Sequence, residues 1–226
     1  MSAVRRRGAT LARAACVLLA SAFATSAAAE AQDRGLAILD EAALRYEGVS
    51  TLCADFVQVL SVPLLGDERT GAGRVCQARP NLFAMRFTDP DGDLIVVDGT
   101  DAWVYYRSVD PKQVLRAPAE DSAGGLDFHR EFLVDADEKF DVMYEADEQV
   151  GSAHTHRLRM VPKSRAGYRA AVVWIDVGEP LLRQVRIEEA SGSRRTITLS
   201  GIEFEATPGE EWFRFTPPAG ALVIRG

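Results

Sequence analysis

The side chains of this 226-residue chain that could perform chemistry are few and scattered. His154 and His156 are two residues apart, so on a strand both rings would lie on one face and could hold a metal ion. The sequence offers no third ligand beside them, which favours a solvated strand edge. Gly-x-Ser-x-Gly, His-Glu-x-x-His and phosphate-binding loop motifs are all missing. We therefore predict no catalytic residue, no metal site, no cofactor and no enzymatic activity.

The N-terminus has the pattern of a secretory signal peptide. Arg5–Arg7 and Arg13 precede or begin a short apolar run, and Ala27 and Ala29 occupy positions −3 and −1 before cleavage at Glu30. Cleavage there removes four of the 26 basic residues and none of the 33 acidic ones, which leaves a net charge of −11. We predict a signal peptide over 1–29 and a single soluble, exported domain over 30–226. The negative charge argues against nucleic acid as a partner.

Export changes the interpretation of Cys53 and Cys76, which remain after cleavage. They flank a Gly/Asp-rich segment near Leu65-Gly66-Asp67 at matched distances, so in a hairpin they would face each other. An even pair of cysteines in an oxidising compartment favours a disulfide, with two buried free thiols as the alternative. They form no Cys-x-x-Cys motif, and we predict no catalytic role for them.

The elements that must position these residues are mostly strands. Asp33 to Tyr46 carries apolar residues at helical spacing and predicts one helix, which ends before Gly48. Short alternating or β-branched runs follow, with a hairpin turn at Asp98-Gly99. The fold class is therefore mainly β (α+β), a strongly curved antiparallel sheet of about eleven strands that forms a β-barrel or an incomplete one, with helices covering its open face. The runs are Cys53–Leu60, Thr70–Ala78, Leu82–Thr88, Asp93–Asp98, Ala102–Tyr106, Gln113–Arg116, Lys139–Tyr144, Thr155–Pro162, Tyr168–Val177, Leu182–Ala190, Arg195–Phe204 and Trp212–Phe215, with a further short strand near Ala221–Arg225.

One segment, Pro118–Asp137, interrupts this series because it lacks strand character. A short helix within it would present an apolar face toward the sheet. The residues of that face are Leu126, Phe128, Phe132 and Leu133.

Several segments, taken in order along the chain, resemble the outer-membrane lipoprotein carrier family, LolA. The resemblance implies a periplasmic chaperone that receives triacylated lipoproteins from an inner-membrane ABC transporter and passes them to an outer-membrane acceptor. We expect it to act as a monomer. The segments are Phe56-Val-Gln58, Arg79-Pro80-Asn81-Leu82-Phe83, Met85-Arg86-Phe87, Leu94-Ile-Val-Val-Asp98-Gly99, Trp103-Val-Tyr105, Gln113-Val114 and Phe215-Thr-Pro217-Pro218-Ala-Gly220.

The resemblance also implies roles for individual residues. Arg79 matches the arginine that hydrogen-bonds lid carbonyls and governs opening; the alternative is a surface arginine paired with a carboxylate. Phe83 matches an aromatic near the surface that meets the transporter, and it could equally lie in the core. We expect a lipid-binding cavity lined by Phe56, Leu82, Trp103, Tyr105 and Trp174, with ordinary core packing as the alternative.

Two other functions remain open. An acceptor of the LolB type or a lipid-sensing regulatory protein would use the same fold, but the acceptor normally carries a lipid on a cysteine directly after the signal, and Ala29-Glu30 provides none. The third possibility is an enzyme acting on lipids or glycans, but the sequence contains no set of residues typical of such an active site.

Overall fold

The computed structural model describes residues 11–64, 66–119 and 128–225, and within them twelve strands form one open, curved sheet. The predicted strands are present with small shifts of their ends, with two exceptions: the strand predicted at Lys139–Tyr144 continues to Val150, and the one predicted at Trp212–Phe215 is absent. The strands are β1 (Thr51–Val62), β2 (Asp67–Ala78), β3 (Leu82–Asp89), β4 (Asp91–Asp98), β5 (Asp101–Tyr105), β6 (Gln113–Pro118), β7 (Phe140–Val150), β8 (Ala153–Pro162), β9 (Ala170–Asp176), β10 (Leu182–Glu188), β11 (Arg194–Phe204) and β12 (Leu222–Arg225).

The strand order across the sheet is β12-β6-β5-β4-β3-β2-β1-β11-β10-β9-β8-β7. Hairpins link most neighbours, and β1 pairs antiparallel with both β2 and β11. The pair β12–β6 is parallel, because the chain leaves β11, crosses the sheet and reaches the edge beside β6 in the same direction. Among the described strands, β7 and β12 thus form the two edges of the sheet.

Three α-helices accompany the described strands: α1 (Leu11–Tyr46), α2 (Phe128–Phe132) and α3 (Ala136–Lys139). The predicted helix Asp33–Tyr46 is the C-terminal part of α1. Gly48 follows it with a left-handed φ of 78°, as expected for the end of a helix. Within the described part of the chain, no helix combines the length and apolar character needed to cross a membrane.

The predicted strand at Trp212–Phe215 is wrong. A 3-10 helix occupies Glu210–Phe213, and the segment after it lies across the sheet instead of pairing with a strand. The guanidinium of Arg86 on β3 donates hydrogen bonds to the carbonyls of Glu211, Trp212 and Arg214 at 2.8–3.2 Å. Since these carbonyls already have a donor, the segment needs no partner strand.

The two faces of the sheet bury different sets of residues. The face under the helices is here called the inner face, and the opposite one is called the outer face. Successive side chains of each strand point alternately to these two faces. The outer face carries a smaller core under residues 206–221, which contains both cysteines and Phe213. The inner face carries the main core, which includes Leu52, Ala54, Phe56, Val75, Met85, Ile95, Leu158, Met160, Val173, Ile197 and Leu199 together with Leu39 and Ala42 of α1.

The predicted disulfide is confirmed. Cys53 and Cys76 lie opposite each other in the β1–β2 ladder, and their sulfurs are 2.05 Å apart. Both are buried on the outer face. The bond therefore closes the first hairpin without placing an atom in the inner face.

Replacing both Cys53 and Cys76 with alanine should lower the free energy of unfolding by about 3 kcal/mol. The bond joins residues 23 apart in sequence, and a loop of this size restricts the unfolded chain by about that amount. Urea unfolding measures the change. As a control, wild-type protein unfolded in reductant should match the double variant, and equal stability of oxidised wild type and variant would contradict the prediction.

Candidate functional site

The candidate site is the inner face, together with the helices that cover it. α1 lies on β7, where Gly35 permits a close approach: a Cβ at this position would be 2.9 Å from Val142 Cγ1. The guanidinium carbon of Arg34 lies 3.7 Å from the centroid of the Tyr144 ring. From there α1 runs over the sheet and ends at Tyr46. It covers the inner face, and we call it the roof.

Tyr46, the last residue of α1, connects this roof to the sheet. Its ring lies 5.0 Å from the ring of His129 on α2 and 5.4 Å from that of Phe204 on β11. Its hydroxyl accepts a hydrogen bond from the N–H of Leu182 at 3.0 Å. Burial raises the pKa of Tyr46 to about 12, against the opposing effect of that N–H and of Arg183 and Arg45. The neutral hydroxyl is therefore the form that fits the closed roof.

Arg79 follows β2 directly and lies at the end of α1. Its N–H donates to the carbonyl of Ser50 at 2.9 Å, and its Nη2 donates to the carbonyl of Tyr46 at 3.2 Å. Carbonyls in the last turn of a helix have no partner within the helix. The Tyr46 carbonyl accepts a hydrogen bond from the N–H of Val49 at 3.2 Å, and Arg79 provides a second donor. The exposed side chain of Arg79 is thus placed where it contacts the end of the roof. Its gating role stays a prediction.

One of the cavities among the described residues lies between the end of α1 and the sheet. It has a volume of about 20 Å³ and is lined by Leu52, Val75, Phe128, Leu182 and Leu199 among others. Such a volume has room for about one water molecule, so a hydrocarbon chain would fit there only if the surrounding side chains moved. The expected lipid-binding cavity stays a prediction.

The predicted cavity residues divide between the two faces. Phe56 lies on the inner face, where its ring packs edge-on against Phe87 at 4.9 Å. Leu82, Trp103 and Tyr105 lie on the outer face and belong to the smaller core. The expectation that these three point inward is therefore corrected.

The outer-face positions have clear physical causes. The rings of Trp103 and Tyr105 lie 6.0 and 5.5 Å from Phe215, which crosses the outer face. The indole Nε1 of Trp103 donates to the Asp98 carboxylate at 2.8 Å. On β5, strand alternation gives the inner face to Ala102 and Val104 instead.

Trp174 likewise does not point inward. Its neighbours on β9, Val173 and Ile175, belong to the inner core, so alternation places Trp174 on the outer face. There it is buried, with the guanidinium carbon of Arg186 lying 5.2 Å from the centroid of its ring.

The predicted apolar face of the short helix is found in part. Phe128, Phe132 and Leu133 are buried in the main core, and the ring of Phe132 lies 6.2 Å from that of Phe140. Leu126 lies outside the described residues. The described part of this face thus packs into the inner face.

Phe83 is in the core of this structure and not on its surface. It is 4% exposed on the inner face of β3, opposite Val97 of β4. This is the core position that the sequence left open as the alternative, and the contact of Phe83 with a transporter stays a prediction.

His156, one of the two histidines on β8, contacts an acidic residue of the neighbouring strand. His156 Nδ1 lies 2.5 Å from the carboxylate of Asp147 on β7. Among the described residues, no group of three histidine, cysteine or acidic side chains is placed to hold a metal ion.

Sequence reasoning missed the aliphatic residues that form most of the inner face. Val75, Met85 and Ile95 lie in register across β2, β3 and β4. The sequence did contain a signal for these residues. Side chains alternate between the faces along a strand, and residues paired across a ladder share a face, so the inner face could have been followed from Phe56 across each hairpin. The aromatic character of a residue does not determine on which face of the sheet it lies, and most of the aromatic residues predicted to line the cavity lie on the outer face.

An open, mostly antiparallel sheet with one apolar face packed against helices defines a class of fold. The family model "Outer membrane lipoprotein carrier protein LolA" matches residues 47–216, three quarters of the chain. The chain belongs to the LolA family.

Relatives known as outer-membrane lipoprotein carrier proteins extend this finding. An outer-membrane lipoprotein carrier protein of Albidiferax ferrireducens is 31% identical over 198 residues, covering 78% of this chain and 85% of the relative. One from Xanthomonas axonopodis pv. citri is 28% identical over 160 residues, covering 70% and 73%. The crystal structure of an uncharacterised conserved protein from Thermus thermophilus shares the fold, with a TM-score of 0.51, 16% identity and coverage of 84% of this chain and 97% of that one.

Replacing Tyr46 with phenylalanine should destabilise the protein by about 1–3 kcal/mol at neutral pH, because the buried N–H of Leu182 loses its acceptor. The difference from wild type should shrink as the pH rises from 10 toward 12. A tyrosine with a raised folded-state pKa contributes its stability below its unfolded pKa of about 10 and loses it above. Urea unfolding at pH 8 and pH 11 measures both effects.

Tyr105→Phe serves as the control for this experiment. It removes a hydroxyl that donates to the Pro111 carbonyl, far from α1 on the outer face. A gap between wild type and Tyr46→Phe that is the same at both pH values would show that Tyr46 does not titrate as described.

Proposed function

We propose that this protein is a periplasmic chaperone that binds the acyl chains of lipoproteins released from the inner membrane and carries them to an outer-membrane acceptor. One observation carries the proposal: a chain of the LolA family has an apolar sheet face that is covered by its own helices and not by a permanent second layer of sheet. The names of the relatives support lipoprotein as the cargo. The signal peptide over 1–29, with cleavage after Ala29, belongs to the same proposal.

The physical task of such a carrier is to keep hydrocarbon out of water. Each buried methylene contributes about 0.8 kcal/mol, so three acyl chains exposed in the periplasm would cost on the order of tens of kcal/mol. The inner face offers aliphatic and aromatic side chains from nearly every strand. When α1 and α2 move aside, acyl chains replace Leu39, Phe132 and Leu133 as the cover of this face.

Release needs no external energy in this scheme, because the helices and the cargo compete for one surface. The closed, empty carrier buries its own inner face and gains the hydrogen bond between Arg79 and the Tyr46 carbonyl. Closing therefore favours transfer to an acceptor with higher affinity for the acyl chains. A carrier that closes less readily holds its cargo longer.

Native mass spectrometry of the protein taken directly from the periplasm tests the function. We expect a mature chain beginning at Glu30 with a triacylated lipoprotein bound. A chain that retains no load but converts an added lipid would support an enzyme instead. A mature protein that carries its own covalent lipid would support an acceptor.

Replacing Arg79 with leucine should leave the fold intact and slow the transfer of bound lipoprotein to the acceptor by about tenfold or more. The variant loses a charged hydrogen bond of the closed state, which contributes about 1.5–3 kcal/mol. Circular dichroism checks the fold, and a transfer assay with purified acceptor measures the rate.

Arg74→Leu is the matched control for Arg79→Leu. Arg74 lies on β2 but points to the outer face, where it pairs with Asp55 and Glu203. We expect it to transfer cargo at the wild-type rate. If Arg79→Leu also transfers at that rate, Arg79 does not gate release.

A further inference from the structure

One apolar row crosses seven strands of the inner face. Each residue lies opposite the next in the strand ladders, so the row runs perpendicular to the strands. Six interstrand spacings of about 4.8 Å give the row a length of about 29 Å. Its members are Ala54 (β1), Val75 (β2), Met85 (β3), Ile95 (β4), Val104 (β5), Leu115 (β6) and Ile224 (β12).

The row passes from the buried core to the solvent. Ile95 is 4% exposed, whereas Leu115 is 42% and Ile224 38% exposed. Leu222, two residues before Ile224 on the same face of β12, is 65% exposed. We call Leu115, Leu222 and Ile224 the apolar shelf. The inner face thus continues past the helices at the β12 edge.

The opposite edge of the sheet is different. β7 carries four acidic residues, Asp141, Glu145, Asp147 and Glu148, and has a register shift between Tyr144 and Ala146. α1 also packs against β7. Charges, bulges and covering helices are the usual ways in which proteins protect a free edge. β12 is protected by its short length of four residues and by Arg225 at its end, while its other three residues are apolar and exposed. These side chains are therefore open to an apolar ligand.

We propose that the apolar shelf binds a hydrocarbon chain and is the first contact of an acyl chain with the closed carrier. This inference rests on the proposed function and adds a subsite to it. The shelf is continuous with the inner face through Val104, and the row is longer than the hydrocarbon of one leaflet, which is about 15 Å, half of a bilayer core. A chain bound on the shelf can therefore extend under the helices as they open.

A second copy of the chain fits the shelf less well. A stable protein interface buries about 800 Å² on each partner and involves about 20–30 residues. The shelf offers three side chains, two of them on a strand of four residues. A narrow apolar row suits a narrow, flexible ligand, so we favour a hydrocarbon chain over a dimer.

Photolabelling of the intact wild-type protein tests this proposal without any substitution. The probe is a palmitic acid analogue with a diazirine near its methyl end, and mass spectrometry of peptides locates the adducts. We expect adducts on Gln113–Pro118 and Leu222–Arg225. We expect none at Leu44, which is 68% exposed on α1 but is not continuous with the row. Adducts at Leu44 equal to those on the shelf would overturn the proposal.

A double variant, Leu115→Asn with Ile224→Asn, tests whether the shelf matters for loading. Removing two apolar contacts should lower the initial rate of probe uptake by about tenfold. Val57→Asn, at a position 52% exposed on the outer face, is the matched control and should load like wild type. Unchanged uptake by the double variant would contradict the inference.

The outcomes separate this inference from the proposed function. If wild type takes up no probe and no lipoprotein, the carrier function itself fails. If wild type is labelled only under the helices, the function stands and the shelf does not. If the shelf is unlabelled and sedimentation shows a dimer that the double variant abolishes, then β12 is a contact between copies, and the proposal is wrong.

Discussion

The rest of this structure depends on one constraint: a sheet of twelve strands has an apolar inner face that something must cover. Burial of apolar surface contributes about 25 cal/mol per Å², so the face is stable only when it is covered. In this structure Leu39 and Ala42 of α1 and Phe132 of α2 cover part of it, and a cavity of about 20 Å³ lies where α1 ends. A cargo bound on this face would have to take the place of these side chains.

The polar contacts between the end of α1 and the sheet would suit a helix that gives way to a bound cargo. At its end, α1 is joined to the sheet by single hydrogen bonds, one from Arg79 to the Tyr46 carbonyl and one from the Leu182 N–H to the Tyr46 hydroxyl. The outer face is more firmly connected, since the disulfide closes the β1–β2 hairpin and Arg86 donates three hydrogen bonds to the segment that crosses it. The proposed opening of the inner face would therefore leave the contacts that hold the outer face in place.

Much of this arrangement could be predicted from the sequence, because strand alternation and turn residues are local signals. The hairpin at Asp98-Gly99 and the pairing of Cys53 with Cys76 depend only on neighbouring segments. The face on which an aromatic lies depends on the register between strands and on what crosses each face. The inward position predicted for Trp103 is wrong because Phe215, its partner on the outer face, is more than a hundred residues away. The packing of Tyr46 against His129 and Phe204 was likewise beyond the sequence, since these residues are far apart along the chain.

The outer-face aromatics explain how the inner face comes to extend to β12. Trp103 and Tyr105 contact Phe215 on the outer face, and this contact fixes the course of the C-terminal segment. Because the segment crosses the sheet there, it reaches the edge beside β6 in the parallel direction. That direction places Ile224 opposite Leu115, on the inner side. The outer core and the apolar shelf are therefore consequences of the same crossing, and a change that loosened Phe215 would also displace the strand that widens the inner face.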